Sequence, residues 1–504
     1  MVKIEHININ GQSYIPCIGL EVHIELKTNT KMFCSCKNDS NEIIPNTNVC
    51  PICMGHPGTL PVPNKDAIEK IIKLGMALGC DIQKEATFDR KNYFYPDLPK
   101  GYQISQSFVP FCLGGKMPLF LSLNDEVNYV QLREIHLEED AGKLLHTNAP
   151  GIALVDFNRA GVPLVELVTE PVIHSGEEVR LFGESLQLLV NYLDISNADM
   201  EKGEMRVEVN ISISNVEQND INNTLINLGQ KVEIKNINSF SAACKAVEFE
   251  ISRQTEILQN GQKVVGETRG WDDIKQITFS QRLKEESNDY RYFPEPDLVP
   301  IETQSFLYQE LPELPWVRRQ RFIQNYKLEP KKVLLFIKNI ELGDFFEVLV
   351  KTSIELINNI EQNQNIIELC YNYLTVDFLG LIAKENKTFS KDLLDPNNFA
   401  LLIKYLIENK ISSKGAKIII ENLVRDPDLN TEDIINNNNL LQVSDENFVV
   451  ELVQKVLVDN PSSVQEYKNG KESVLQFLIG QAMKASKGTA NPQIVKEIML
   501  KLLE

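Results

Sequence analysis

The sequence predicts an α+β N-terminal region built on an antiparallel sheet, followed by helical regions. Three observations carry this. Apolar and polar residues alternate strictly in several segments of the first 300 residues. The alternation stops after Pro294-Glu-Pro296 and Leu311-Pro-Glu-Leu-Pro315. Beyond them, in residues 374–384, 400–408 and 449–458, apolar residues recur at helical spacing. At 504 residues the chain is too long for one core. The Pro-rich linker and Asn409-Lys410 place boundaries that give 1–298, a helical domain 299–409 and a helical tail 410–504.

In the first strand, residues 20–26, Glu21, His23 and Glu25 share one face and Leu20, Val22, Ile24 and Leu26 the other. Residues 204–214 repeat the device with Glu204, Arg206, Glu208, Asn210, Ser212 and Ser214. Between them lie residues 133–143, a strand running into a charged turn, then 155–159 and 163–167. Val232-Glu-Ile-Lys235 leads into a helix over 239–259. Two more helices are expected at 65–78 and 178–193, the second after Ser175-Gly-Glu-Glu178, which has capping-box spacing.

Four of the nine cysteines, Cys34, Cys36, Cys50 and Cys53, fall within twenty residues. Two close pairs joined by a loop suit one tetrahedral zinc ion, and four thiolates leave no open position, so the site is structural. Cys50-Pro-Ile-Cys53-Met-Gly resembles a zinc-knuckle turn. The scattered cysteines fit small buried side chains in a reducing compartment.

The polar face is rich in carboxylates, with a histidine among them. Repelling carboxylates gathered on one sheet need a cation, and oxygen ligands suit Mg²⁺, which commonly accompanies ATP phosphates. No P-loop, dinucleotide fingerprint or Gly-x-Ser-x-Gly elbow is present. The nucleotide is therefore expected outside those folds, and a nucleophilic glutaminase is not expected in this chain.

The chain resembles the B subunits of the bacterial aspartyl/glutamyl-tRNA amidotransferases. The matching stretches are Gly19-Leu-Glu-Val-His-Ile-Glu-Leu, residues 88–106, His136-Leu-Glu-Glu-Asp-Ala-Gly-Lys143, Asp156-Phe-Asn-Arg, residues 232–240, residues 289–298 and residues 480–492. The resemblance implies a glutamine-synthetase-like cradle followed by a helical domain and a tRNA-gripping helical tail. It implies ATP-dependent phosphorylation of the side-chain carboxylate of Glu-tRNA(Gln) or Asp-tRNA(Asn), then amidation. Ammonia would come from a partner glutaminase, the amidase of the same complex, and a small third subunit would complete a heterotrimer. Carried over by motif, Glu21, His23, Glu139 and Glu166 would hold Mg²⁺, with Glu138 a close competitor for Glu139. Lys91 and Arg206 are the candidate catalytic partners of phosphate or carboxylate. Tyr93, Tyr95 and Tyr102 are candidates for stacking on the acceptor end. Where the family has Asp and Arg, this chain has Glu208 and Ser214, which puts a metal role for Glu208 in doubt.

The net charge of −19 argues against blanket attraction to nucleic acid but leaves room for local basic faces. Lys410, Lys414 and Lys417 form one acid-free stretch; Lys484, Lys487 and Lys496 form another. They are the candidate tRNA-backbone contacts. No targeting peptide and no membrane-spanning run is expected, which points to the cytoplasm. A non-catalytic zinc-stabilised tRNA scaffold is the alternative, and a scaffold has no use for converging carboxylates.

Overall fold

A computed structural model describes residues 4–122, 127–146, 151–220, 223–283, 290–442, 446–486 and 490–503. The chain divides into two compact units, 1–320 and 321–504.

The first unit is organised by a twelve-stranded sheet. Its main strands are β1 (Gln12–Glu25), β2 (Asp81–Ile82), β5 (Cys112–Leu113), β6 (Tyr129–Glu139), β7 (Pro163–Thr169), β8 (Met205–Asp220), β9 (Val232–Lys235), β10 (Glu267–Asp272) and β11 (Ile277–Leu283). A separate sheet contains β3 (Asp89–Asn92) and β4 (Tyr102–Ser105). The main order is β11-β10-β9-β8-β1-β7-β6-β5-β2, antiparallel throughout except for the parallel pair β9–β10. The predicted alternation thus becomes a real pleat. Leu20, Val22, Ile24, Val207, Val209 and Ile211 are all buried, each fully buried aliphatic contributing about 1.5–3 kcal/mol.

Three helices lie at the expected places: α1 (Lys65–Leu78), α2 (Gly176–Tyr192) and α3 (Phe240–Gln259). α3 packs on β8 and α1 on β6. Each begins with a side-chain cap. Ser175 Oγ accepts from Glu178 N at 3.2 Å, while the Glu178 carboxylate accepts from His174 N at 2.8 Å.

The predicted boundary near 298 moves. Ile301–Glu302 pairs with Glu85–Ala86, and Thr303 Oγ1 donates to Gln83 O at 2.6 Å, so the chain stays with the first unit. In the second unit the predicted break at 409/410 also moves. α4 (Ile340–Ile357) packs on α5 (Pro396–Ile407), and α6 (Ser413–Arg425) and α7 (Thr431–Asn437) pack on α5 as well. A separate core then joins α8 (Glu446–Asp459), α9 (Val474–Ala485) and α10 (Pro492–Leu503) through Val449, Val453, Leu478, Val495 and Met499.

The helical stretch Ile360–Lys384 is long and apolar enough, by length and composition, to cross a membrane, which the sequence reading did not expect. Its residues Ile366, Ile367, Cys370, Leu374 and Phe378 are buried within the helical unit.

Candidate active site and metal centre

The cysteine pairs sit on two turns that follow β1 in the chain. Sulfur atoms of Cys34, Cys36, Cys50 and Cys53 all lie within 4.8 Å of one another. Cys50 Sγ and Cys53 Sγ are 3.9 Å apart. Ligands of a tetrahedral zinc at the usual Zn–S length lie about 3.8 Å apart, so the residues fit the ion. The turn shapes them: Met54 N donates to Cys50 O at 3.0 Å, and Gly55 adopts φ 68°, a conformation suited to glycine. The Cys34 thiol beside it, with help from Lys31, holds Cys53 down at about 5, whereas burial pushes Cys36 up to about 11. One thiolate is thus favoured in the protein alone, and a cation is what would let all four ionise.

The carboxylate face forms because β1, β7, β6 and β8 present alternate residues to one side. Glu166 on β7 lies opposite His23 on β1 and His136 on β6. Glu166 Oε2 is 3.5 Å from His23 Nε2 and 3.1 Å from His136 Nε2. Glu138 Oε1 is 3.4 Å from His23 Nε2. Burial disfavours charge on His23, but Glu166 and Glu138 outweigh it and raise the imidazole to about 9. Burial likewise opposes ionisation of Glu166, and His136 and His23 outweigh it, holding the carboxyl well below its usual range.

His23, Glu138 and Glu166 form one potential ligand group. Neighbouring ligands of an octahedral Mg²⁺ lie about 3.0 Å apart, so small movements from 3.4 and 3.5 Å would accommodate an ion.

Two residues of the motif-based ligand set stand outside that group. Glu139 is not in the group: β6 keeps its register through Glu139, which pairs with Pro163, and the turn begins only at Asp140. Alternation therefore sends Glu138 to the His23 face and Glu139 to the other. There Glu139 forms an ion pair with Lys100 and accepts from Ile104 N at 2.9 Å. That pair borders a 90 Å³ cavity with Phe33, Cys53, His56 and Tyr102, away from the carboxylate face. Glu21 shares the face but stands in a second group with Glu208 and Glu233. Burial, Glu166 and Glu208 raise its pKa. Lys235 Nζ neutralises this group, 2.7 Å from Glu208 and 3.3 Å from Glu233.

Lys91 and Arg206 are both brought to the site. Lys91 Nζ lies 5.1 Å from the Tyr290 ring centroid. Burial opposes its charge, but Glu138 and Glu166 hold the ammonium's pKa above its ordinary value. Arg206 on β8 lies opposite His23, and its Nη2 donates to both oxygens of Asp140 at 3.1 Å. Arg159 pairs with the same Asp140 and lies 3.5 Å from Glu25. Tyr93 packs edge-on against Tyr95 and Tyr290, and Tyr102 lies under Arg90.

Comparison with known proteins decides the family. The model of the GatB/GatE catalytic domain matches residues 16–309, and that of the GatB domain matches residues 355–503. The B subunit of the aspartyl/glutamyl-tRNA(Asn/Gln) amidotransferase of Thermotoga petrophila is 42% identical over 501 residues, covering 97% of this chain and 99% of the relative. The proteins of that name from Thermoanaerobacter pseudethanolicus and Caldicellulosiruptor bescii are each 41% identical. They cover 96% and 97% of this chain, and 98% and 99% of their own lengths. The chain belongs to the family of amidotransferase B subunits.

In this family member the tail lysines divide between two helical cores. Lys410 precedes α6 and pairs with Glu408 at 2.7 Å; Lys414 is exposed on α6; Lys417 pairs with Asp377 at 3.1 Å. Lys484 on α9 and Lys496 on α10 are exposed, and Lys487 lies outside the described residues. Sequence reasoning missed His136, Asp140 and Arg159 as site residues. His136 had a signal, since it alternates with Glu134 and Glu138. The Asp140–Arg159 pairing had none, because it depends on how two turns meet.

Proposed function

We propose that this amidotransferase chain binds ATP and Mg²⁺ on the carboxylate face and phosphorylates the side-chain carboxylate of Glu-tRNA(Gln) or Asp-tRNA(Asn). Ammonia from a partner glutaminase, held in the same complex with a small third subunit, then displaces phosphate to give the amide. The observation that carries this reading is the grouping of His23, Glu138 and Glu166 on one face with Arg206 opposite His23, toward which Lys91 brings its charge from the separate sheet.

Carboxylate oxygen is a poor leaving group, and phosphate a good one. Transfer therefore needs charge stabilisation more than a protein nucleophile. His23, Glu138 and Glu166 would hold the Mg²⁺, which when bound would neutralise phosphate oxygens. Lys91 would hold the incoming carboxylate or the transferred phosphoryl group by its charge. Arg206, fixed from behind by Asp140, offers a guanidinium of set orientation. Glu21 borders a 190 Å³ hollow shared with Arg133 and Lys231, whose charges suit nucleotide phosphates. The relatives are named for both tRNA types, and the same chemistry serves either acid. The four cysteines would hold a structural zinc outside this chemistry.

The test is amidation by the purified complex with ATP, glutamine and each mischarged tRNA, with release of ADP and phosphate followed. Stoichiometric ADP with each amide supports the reading. Amidation without ATP consumption overturns it and leaves the scaffold reading.

A further inference from the structure

Lys31 is among the largest fully buried side chains, with no exposure to solvent. A buried ammonium is costly unless a negative charge and hydrogen bonds meet it. Among the described residues no carboxylate lies within ion-pairing distance. Its nitrogen has two partners: it donates to Phe157 O at 3.2 Å and lies 3.9 Å from Cys53 Sγ. The backbone around it belongs to the same turn, since Lys31 N donates to Cys36 O at 2.9 Å. Gly161 (φ 85°) closes the other side: a Cβ there would sit 3.5 Å from Cys53 Cβ and 3.6 Å from Lys31 Cδ.

Zinc with four thiolates carries a net double negative charge. A buried cluster of that charge needs a cation nearby, and Lys31 is placed to supply it. Resting on the reading that zinc occupies the cysteines, we propose that Lys31 is the internal counter-ion of that site. Through Phe157 it links metal occupancy to the 156–161 turn.

The turn is held to the cysteine loop at further points. Phe157 N donates to Asn46 Oδ1 at 2.8 Å, Asn48 N to Asn158 Oδ1 at 2.8 Å, and Asn158 Nδ2 to Ile44 O at 2.8 Å. Met32 N donates to Gly161 O at 2.7 Å. The same turn carries Arg159, which shares Asp140 with Arg206, and it leads directly into β7 and Glu166. The cysteine loop is therefore a brace for the Arg159–Asp140–Arg206 group. Lys31 is a positioning residue in it, with no contact to the reacting atoms.

The experiment uses the full chain in its complex. Zinc affinity is measured at fixed pH by competition with a chromophoric chelator, for wild type, Lys31→Met and Lys31→Arg. Lys31→Met is expected to lose at least tenfold in affinity, and Lys31→Arg to recover most of it. With Co²⁺ in the site, the thiolate-to-metal band of Lys31→Met should keep its intensity, since all four ligands remain. It should move to longer wavelength, since the thiolates lose a stabilising cation. Equal affinity and an unmoved band in Lys31→Met overturn the proposal. Should Lys31→Met fail to fold, hydrogen exchange of the wild type decides. Removing zinc should expose the amides of Ala160 and Gly161, which donate to Phe157 O and Asp140 O; unchanged protection overturns the link. A wild type without stoichiometric metal is a different result, and it overturns the zinc reading itself.

Discussion

His23 Nε2 lies 3.4 Å from Glu138 Oε1 although a whole strand, β7, runs between theirs. Both side chains lean over Glu166, which stands between them on that strand. The next residue along, Glu139, points away and pairs with Lys100. Adjacent glutamates thus have separable roles. Glu138→Gln should cost about 2.7–4 kcal/mol of the amidation barrier, the scale seen when one donor to developing charge is removed. Glutamine hydrolysis by the partner should continue. Glu139→Gln should instead lower stability, by about 3–5 kcal/mol as for a broken buried pair, with the Mg²⁺ requirement unchanged. Titrating both variants with Mg²⁺ separates them; a raised requirement in Glu139→Gln alone would reverse the assignment.

Glu21 and Glu166 share the polar face of the sheet but belong to different groups. Glu166→Ala leaves His23 and His136 without their shared carboxylate and should nearly abolish ATP-dependent amidation. Glu21→Ala removes a carboxylate that Lys235 does not contact, so it should act on nucleotide affinity more than on the Mg²⁺ requirement. ATP titrations at saturating Mg²⁺ test this: a normal KM for ATP in Glu21→Ala would place the nucleotide elsewhere.

Much of this site was legible because a pleat has a period of two. Once 20–26 and 204–214 were read as strands, Glu21, His23 and Arg206 had to share a face, and they do. The cysteine pairs were legible for a related reason: short spacings leave little freedom. Where the reading failed, it failed at ends and joins. Glu138 and Glu139 could be ordered only by knowing that β6 reaches Glu139 before turning. The domain limits at 298 and 409 followed Pro and Asn-Lys signals. Pairing of Ile301–Glu302 with Glu85–Ala86, and of Ile411 with Leu441, is a long-range event that local composition does not announce.

Glu25 sets a pH dependence. Burial and the nearby Asp140 raise its carboxyl to about 7, with Arg159 and Ser40 pulling the other way. A raised carboxyl binds its proton more tightly in the folded state. The stability it adds is complete below its ordinary value near 4.5 and is lost as pH climbs through about 7. At roughly 1.36 kcal/mol per unit, the change is about 3 kcal/mol. Glu25→Gln should flatten that part of the profile. Chemical denaturation at pH 5 and pH 8 checks it: an equal pH response in wild type and variant removes Glu25 as the source.

The cysteine site should hold one zinc per chain. Cys50→Ser removes a ligand and should loosen residues 30–64 and the turn at 156–161, which share hydrogen bonds. Elemental analysis and limited proteolysis read this directly. Full zinc content with a protected loop in Cys50→Ser would show that Cys50 is not a ligand.

The last prediction concerns tRNA, and the helical packing dictates where to cut. Removing everything after 409 would strip α6 and α7 from α5 and expose a core that has nothing to do with binding. Ending the chain after 445 removes α8–α10, with their own core, and leaves α6 intact. Lys484, Lys487 and Lys496 go; Lys410, Lys414 and Lys417 stay. If the lost lysines touch phosphates, affinity for tRNA should fall. The slope of log K against log salt should flatten by about 0.7–0.9 for each lost contact. Turnover at saturating tRNA should suffer less than KM, because uniform binding was removed and every carboxylate of the sheet remains. Lys410→Gln, Lys414→Gln and Lys417→Gln in the full chain test the other core. A slope unchanged in the shortened chain but reduced in the triple variant would assign tRNA to α6, and unchanged slopes in both would take the tRNA off these lysines altogether.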